Sequence, residues 1–153
     1  MTRINVIDVQ LLTDQHLMAE YRELPMVNSS LNRSRKSKKG INFSKISDHY
    51  TLNTGHVYFF YNKGKFLFKR YEDLIKELKN RKYNIIPDER KVDWNVFSDY
   101  NGQSLWNDWS PSLVDISVNI ERITEKIESK PEFYRYHSDK INKNKYLKEI
   151  LGV

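Results

Sequence analysis

Along residues 14–24, DQHLMAEYREL, apolar side chains recur at Leu17, Met18, Tyr21 and Leu24. These are positions i, i+1, i+4 and i+7, one face of a helix, with Thr13 or Asp14 in place to cap its start. His16, Glu20 and Glu23, at i, i+4 and i+7, form a separate polar stripe on the same helix. Pro25 carries no backbone N–H and is expected to kink or end the helix. A second helix is predicted over residues 65–82. Leu67, Tyr71, Leu74, Ile75 and Leu78 lie on one side, and Lys69, Arg70, Lys76, Lys79, Arg81 and Lys82 lie elsewhere. Ser110-Pro111 reads as N-cap and first-turn proline of a third helix. That helix carries Leu113, Ile116, Ser117, Ile120, Ile123 and Ile127, runs to about Ser129 and is stopped by Pro131. The aromatic run from Gly55 to Tyr61 is too short to be assigned as a helix, and Gly64 separates it from the second helix. Residues 84–110, with Pro87, Asn101-Gly102 and tryptophans, read as an ordered loop. The predicted fold class is mainly α: a single compact domain of three principal helices with long aromatic-rich loops.

Composition narrows the function. A chain of 153 residues suits one domain, burying roughly 70% of the surface its unfolded form exposes. With five Gly and four Pro there is no low-complexity linker, and no internal repeat is visible. The absence of cysteine excludes a disulfide scaffold, a cysteine-ligated zinc site and a thiol nucleophile. No window approaches the ~20 consecutive apolar residues of a membrane span. Residues 1–12 lack a basic-then-apolar leader, so a cytoplasmic protein is expected, neither secreted nor membrane-bound.

The 26 Lys and Arg against 20 Asp and Glu leave a net charge of +6, and the charge is unevenly placed. Residues 28–47 hold Arg33, Arg35, Lys36, Lys38, Lys39 and Lys45 with no acid, six bases equal to the net +6 of the whole chain. Residues 130–148 hold six bases against two acids, a net +4, whereas residues 86–128 hold nine acids against four bases. One phosphate-facing side and one solvent-facing side would be served by such segregation, because each neutralised phosphate releases counterions. A solvated, mobile basic loop is the competing interpretation.

Three blocks carry more specific information. They are Thr2-Arg-Ile-Asn5; the run from Asp14 to Pro25; and Gly55-His-Val57 with Phe59-Phe-Tyr61. Together they resemble the pyrimidine-dimer DNA glycosylase/AP lyase family, the phage endonuclease V type that acts on ultraviolet damage. Residues 121–127 and Pro131 with Phe133-Tyr-Arg-Tyr136 resemble that family's carboxy-terminal part, while residues 28–54 and 84–112 match weakly.

The resemblance implies a DNA repair enzyme of base excision. After removal of the initiator methionine, the α-amine of Thr2 attacks deoxyribose C1′, displaces the damaged base and forms a Schiff base. Glu23 is the implied catalytic carboxylate, and β-elimination then nicks the strand without a metal or other cofactor. Gln15, His16, Arg3 and Arg22 match positions around the amine and the DNA, and Arg122 and Lys126 match basic positions on the DNA side. Tyr134, Arg135 and Tyr136 belong to a tail segment implied to assist DNA binding. The implied partner is double-stranded DNA containing pyrimidine dimers or abasic sites, bound by a monomer.

Two departures stand out. Met26 occupies the place where the family block continues with arginine. Arg33, Arg35 or the lysines after them are the candidates to supply that charge. The resemblance covers residues 2–137, leaving 138–153 as a carboxy-terminal extension without an assigned role. Two alternatives stay open: the same fold as an AP lyase or glycosylase for another damaged base, and a non-catalytic basic DNA-binding protein.

Overall fold

The computed structural model describes residues 3–86 and 92–152. Its helices form in the order the periodicity predicts, with additions. Helix α1 spans Asp14–Glu23, and the Thr13 hydroxyl caps it by accepting the His16 backbone N–H. Leu17, Tyr21 and Leu24 are buried, while Met18 is only partly so. Pro25 ends α1 because it has no N–H for the Tyr21 carbonyl, yet its fixed φ suits the first turn of a new helix. Helix α2, Pro25–Lys36, therefore starts with a single residue, Leu24, at the joint. Much of the basic run is thus helical rather than the loop its composition predicts: Arg33, Arg35 and Lys36 sit in the last turn of α2. Val27, Asn28 and Leu31 face inward, and Ser30 and Ser34 flank the Tyr61 hydroxyl at 2.6 and 3.1 Å.

The aromatic run forms a short helix, α3, His56–Phe59, followed by one 3-10 turn, Phe60–Asn62. Gly55 precedes it with φ of +85°, a conformation that favours glycine. Helix α4, Gly64–Asn80, packs against α1 and carries the second predicted stripe inward. Its first residue lies so close to Phe97 that a Cβ would approach the ring to 2.5 Å, which explains a glycine there.

Helix α5, Leu113–Ser129, begins two residues later than the Ser110-Pro111 pair implies. Its N-cap is Ser112, in a reciprocal capping box with Asp115. Leu113, predicted on the core face, is 83% exposed; the buried positions are Asp115, Asn119, Ile123 and Ile127. Beyond it, β1 (Arg135–Tyr136) and β2 (Asp139–Lys140) form a hairpin whose turn residues, His137 and Ser138, both have positive φ. Helix α6, Lys143–Leu151, then packs on α5. The extension is therefore built onto the body: Ile150 is buried and the Tyr146 hydroxyl donates to the Leu11 carbonyl at 2.6 Å. Among the described residues, no helix is long and apolar enough to cross a membrane.

Candidate active site

Residues 4–7 are buried and belong to no helix or strand, and a buried segment of that kind must find partners for its backbone groups. The Ile4 N–H donates to His56 Nε2 at 2.7 Å, and the Tyr50 hydroxyl donates to the Ile4 carbonyl at 2.7 Å. His56 Nδ1 lies 2.8 Å from the Thr51 carbonyl. A carbonyl only accepts, so the ring hydrogen sits on Nδ1 and Nε2 is the acceptor for Ile4. Burial holds this imidazole neutral, with its pKa lowered to about 4.

Farther along, Asn119 Oδ1 on α5 accepts from the Val6 and Ile7 N–H groups at 2.7 and 3.3 Å. Its Nδ2 donates to Asn5 Oδ1 at 2.8 Å, and Asn5 Nδ2 donates to Glu20 Oε1 at 2.9 Å. Arg70 of α4 closes the network. Its guanidinium reaches both Glu20 oxygens at 2.7 and 3.0 Å and the Ile7 carbonyl at 2.6 Å. A network paired in this way fixes geometry, since any slip would leave a buried polar group unpaired.

The rigid segment sets Arg3 against the end of α1. Its backbone N–H donates to Glu23 Oε2 at 3.1 Å. Burial raises the Glu23 pKa above the ordinary carboxylate value, opposed by this hydrogen bond and by the Arg3 charge. The Arg3 pKa is lowered by burial and by Arg122.

His16 sits one side of this group. Its Nδ1 is 2.8 Å from the Thr13 hydroxyl, and its ring stacks on Tyr134 with centroids 4.8 Å apart and planes 14° apart. Burial, with the charges of Arg3 and Lys126, lowers its pKa to about 4. A cleft of about 590 Å³ opens here, lined by Gln15, His16, Met18, Arg22, Phe133 and Tyr134 among others.

Arg3, His16, Glu23, Arg122, Lys126 and Tyr134 are thereby gathered from four parts of the chain. Arg22 lines the cleft from the exposed side of α1. Arg122 leans on Glu125 at 3.5 Å.

Several other candidates also carry structural contacts. Gln15 Oε1 accepts the Arg135 backbone N–H at 2.8 Å, which ties the hairpin to α1. The Arg135 guanidinium donates to the Glu132 and Tyr134 carbonyls. The Tyr136 hydroxyl donates to the Gln10 carbonyl at 2.7 Å, with Arg81 over its ring. Tyr134 is buried, whereas its neighbour Phe133 is 56% exposed. On α2 the Arg35 guanidinium donates to the Val96, Ser98 and Asp99 carbonyls, while Arg33 is exposed. Met26 is 51% exposed. Thr2 lies outside the described residues.

Arg70 and Arg81, predicted on the polar side of the second helix, are buried instead. Arg81 pairs with Asp14 and Glu77, each at 3.0 Å. The signal was available: positions 70, 77 and 81 fall at i+3 and i+4 along the stripe of Leu67, Leu74 and Leu78. The roles of Tyr50 and Asn119 carry no such signal, because their partners are distant in sequence.

A half-buried carboxylate of raised pKa can stabilise developing positive charge and accept a proton, and the surrounding cations suit a polyanion. The sequence itself supplies the matching assignment. The family model described as pyrimidine dimer DNA glycosylase matches residues 1–90, which include Glu20, Glu23, His16, His56 and Arg70. The chain belongs to the pyrimidine dimer DNA glycosylase family.

Proposed function

We propose that the protein excises pyrimidine dimers from duplex DNA through the α-amine of Thr2, freed by removal of Met1, and then nicks the strand as an AP lyase. The amine attacks C1′ and the bond electrons leave with the base. Loss of a proton from nitrogen and opening of the sugar ring give the Schiff base. Removal of a C2′ proton expels the 3′ phosphate, and hydrolysis returns the free amine. An α-amine titrates near 8 and a lysine near 10.4, so at neutral pH the former is over a hundredfold richer in free nucleophile.

The observation that supports this reading is the Arg3 N–H on Glu23 at 3.1 Å. Three covalent bonds join the nitrogens of residues 2 and 3, a span of at most about 3.7 Å. An amine on Thr2 is therefore confined to about 7 Å from the Glu23 carboxylate, suitably near for proton transfer at the same sugar. Glu23 stabilises the cationic transition state, assists ring opening and takes the C2′ proton. Arg3, Arg22, Arg122 and Lys126 hold phosphates. With Arg35 engaged by residues 96–99, Arg33 and the exposed Lys36, Lys38 and Lys39 are the groups able to compensate for Met26. The enzyme acts as a monomer.

The test mixes protein bearing a native Thr2 terminus with duplexes carrying a thymine dimer, an abasic site or neither, in the presence of borohydride. Trapping on the dimer is expected. Trapping on the abasic duplex alone would instead support a lyase or a glycosylase for another base, and no adduct would contradict both.

A further inference from the structure

His16 and His56 are both neutral imidazoles, but among the described residues only His56 is closed on both nitrogens. His56 is held through Nδ1 by Thr51 and through Nε2 by Ile4. For His16 the Thr13 hydroxyl lies 2.8 Å from Nδ1, and Nε2 has no hydrogen-bond partner among the described residues. The ring lines the cleft beside Phe133 and Tyr134.

The Thr13 oxygen already accepts the His16 backbone N–H at 3.1 Å as the cap of α1. Thr13 is fully buried, so its hydroxyl hydrogen needs an acceptor, and the Nδ1 lone pair is in reach. One hydroxyl thereby does two things: its oxygen caps the helix and its hydrogen selects the imidazole tautomer. The groups facing the ring are Arg3 from the amino-terminal segment, Lys126 from α5 and Tyr134 from the tail. Two cations there disfavour an imidazolium.

We propose that Thr13 is a positioning residue for His16: it occupies Nδ1, places the ring hydrogen on Nε2, and so presents an uncharged hydrogen-bond donor in the cleft. The role assigned to that donor, an acceptor oxygen of the bound nucleotide, rests on the proposed function. A neutral donor gives direction without adding a further positive charge beside an amine that must stay unprotonated. Thr13 does not touch substrate; it acts through His16.

The test uses the full chain labelled with ¹⁵N and long-range proton–nitrogen correlation of the imidazoles at neutral pH, with His16→Gln for assignment. Wild type is expected to show His16 with hydrogen on Nε2 alone, and Thr13→Ser to keep both that pattern and the cleavage rate. Thr13→Asp retains a helix-capping oxygen but offers a carboxylate that draws the hydrogen to Nδ1. It is expected to change the tautomer and slow dimer cleavage by about tenfold or more through misplacement of the donor. In a His16→Gln background the same substitution should cause no further loss.

Hydrogen on Nδ1 in the wild type would overturn the proposal, as would an unchanged tautomer in Thr13→Asp. A changed tautomer with undiminished cleavage would overturn the positioning role. A wild type with the expected tautomer that cleaves no dimer duplex would remove the proposed function and leave the assignment of Thr13 standing.

Discussion

Glu20 and Glu23 lie one turn apart on α1 and both meet the amino-terminal segment, yet they do opposite work. The Glu20 side chain is wholly buried, and its oxygens are taken by Arg70 and Asn5. Glu23 is half-buried, and among the described residues its hydrogen-bond partner is one backbone N–H, that of Arg3. The same functional group is a structural anchor where its lone pairs are filled and, in the proposed function, a reagent where the described residues leave them less occupied. The closed end holds residues 4–7 in place, and at the open end the backbone of residue 3 meets a carboxylate.

Separating the two glutamates by mutation gives the largest expected effect. Glu23→Gln is expected to lower cleavage by about 10²- to 10⁴-fold, with DNA binding and the thermal midpoint nearly unchanged, as followed by gel-based nicking, fluorescence anisotropy and calorimetry. Glu20→Ala should act the other way round. It strands the Arg70 guanidinium in the interior and is expected to cost about 3–5 kcal/mol of stability by urea unfolding, with activity lost only as fast as the fold is.

Acidification affects both ends. The folded pKa of His56 is depressed to about 4, against about 6.5 in an unfolded chain. The unfolded state therefore binds the extra proton first as pH falls. The stability present above about pH 6.5 declines down to about pH 4, by on the order of 3 kcal/mol for this buried imidazole. Unfolding midpoints measured across that window should fall, and His56→Gln should flatten the slope. The cleavage rate should fall below about pH 8 as the α-amine takes up a proton, and more steeply once Glu23 is protonated as well, at a pH that burial raises from the ordinary carboxylate value.

The smallest effects distinguish the cations proposed to bind DNA from structural ones. Lys126→Ala and Arg122→Ala are each expected to make the slope of log affinity against log salt shallower by about 0.9. Arg35→Ala should leave that slope alone and cost about 1–2 kcal/mol of stability through its lost carbonyl contacts.

Three helices were legible because their apolar stripes are dense. Helix α2 was not, since only Val27 and Leu31 mark its inner face among serines and bases, and a proline read as a stop became a start. Helix α6 escaped for a similar reason, with Tyr146 and Ile150 as its buried pair. The sequence blocks pointed to His16 and Glu23, but periodicity treats Glu20 and Glu23 alike. Their difference depends on Arg70, fifty positions away in sequence. Burial of a charge is decided by a partner from another element, and no local pattern carries that information.

If the reacting amine is that of Thr2, working beside Glu23, then Lys63 provides the natural contrast. Burial lowers its pKa to about 8, but its Nζ donates to the Phe59 carbonyl and Asn62 Oδ1, each at 2.9 Å. The two amines are told apart by reducing the covalent complex with a thymine-dimer duplex and mapping the adduct by peptide mass spectrometry. A deoxyribose remnant is expected on the amino-terminal peptide at the Thr2 nitrogen, absent when a residue precedes Thr2. An adduct on Lys63 or any other lysine, with the amino terminus unmodified, would contradict the assignment of Thr2 as the nucleophile.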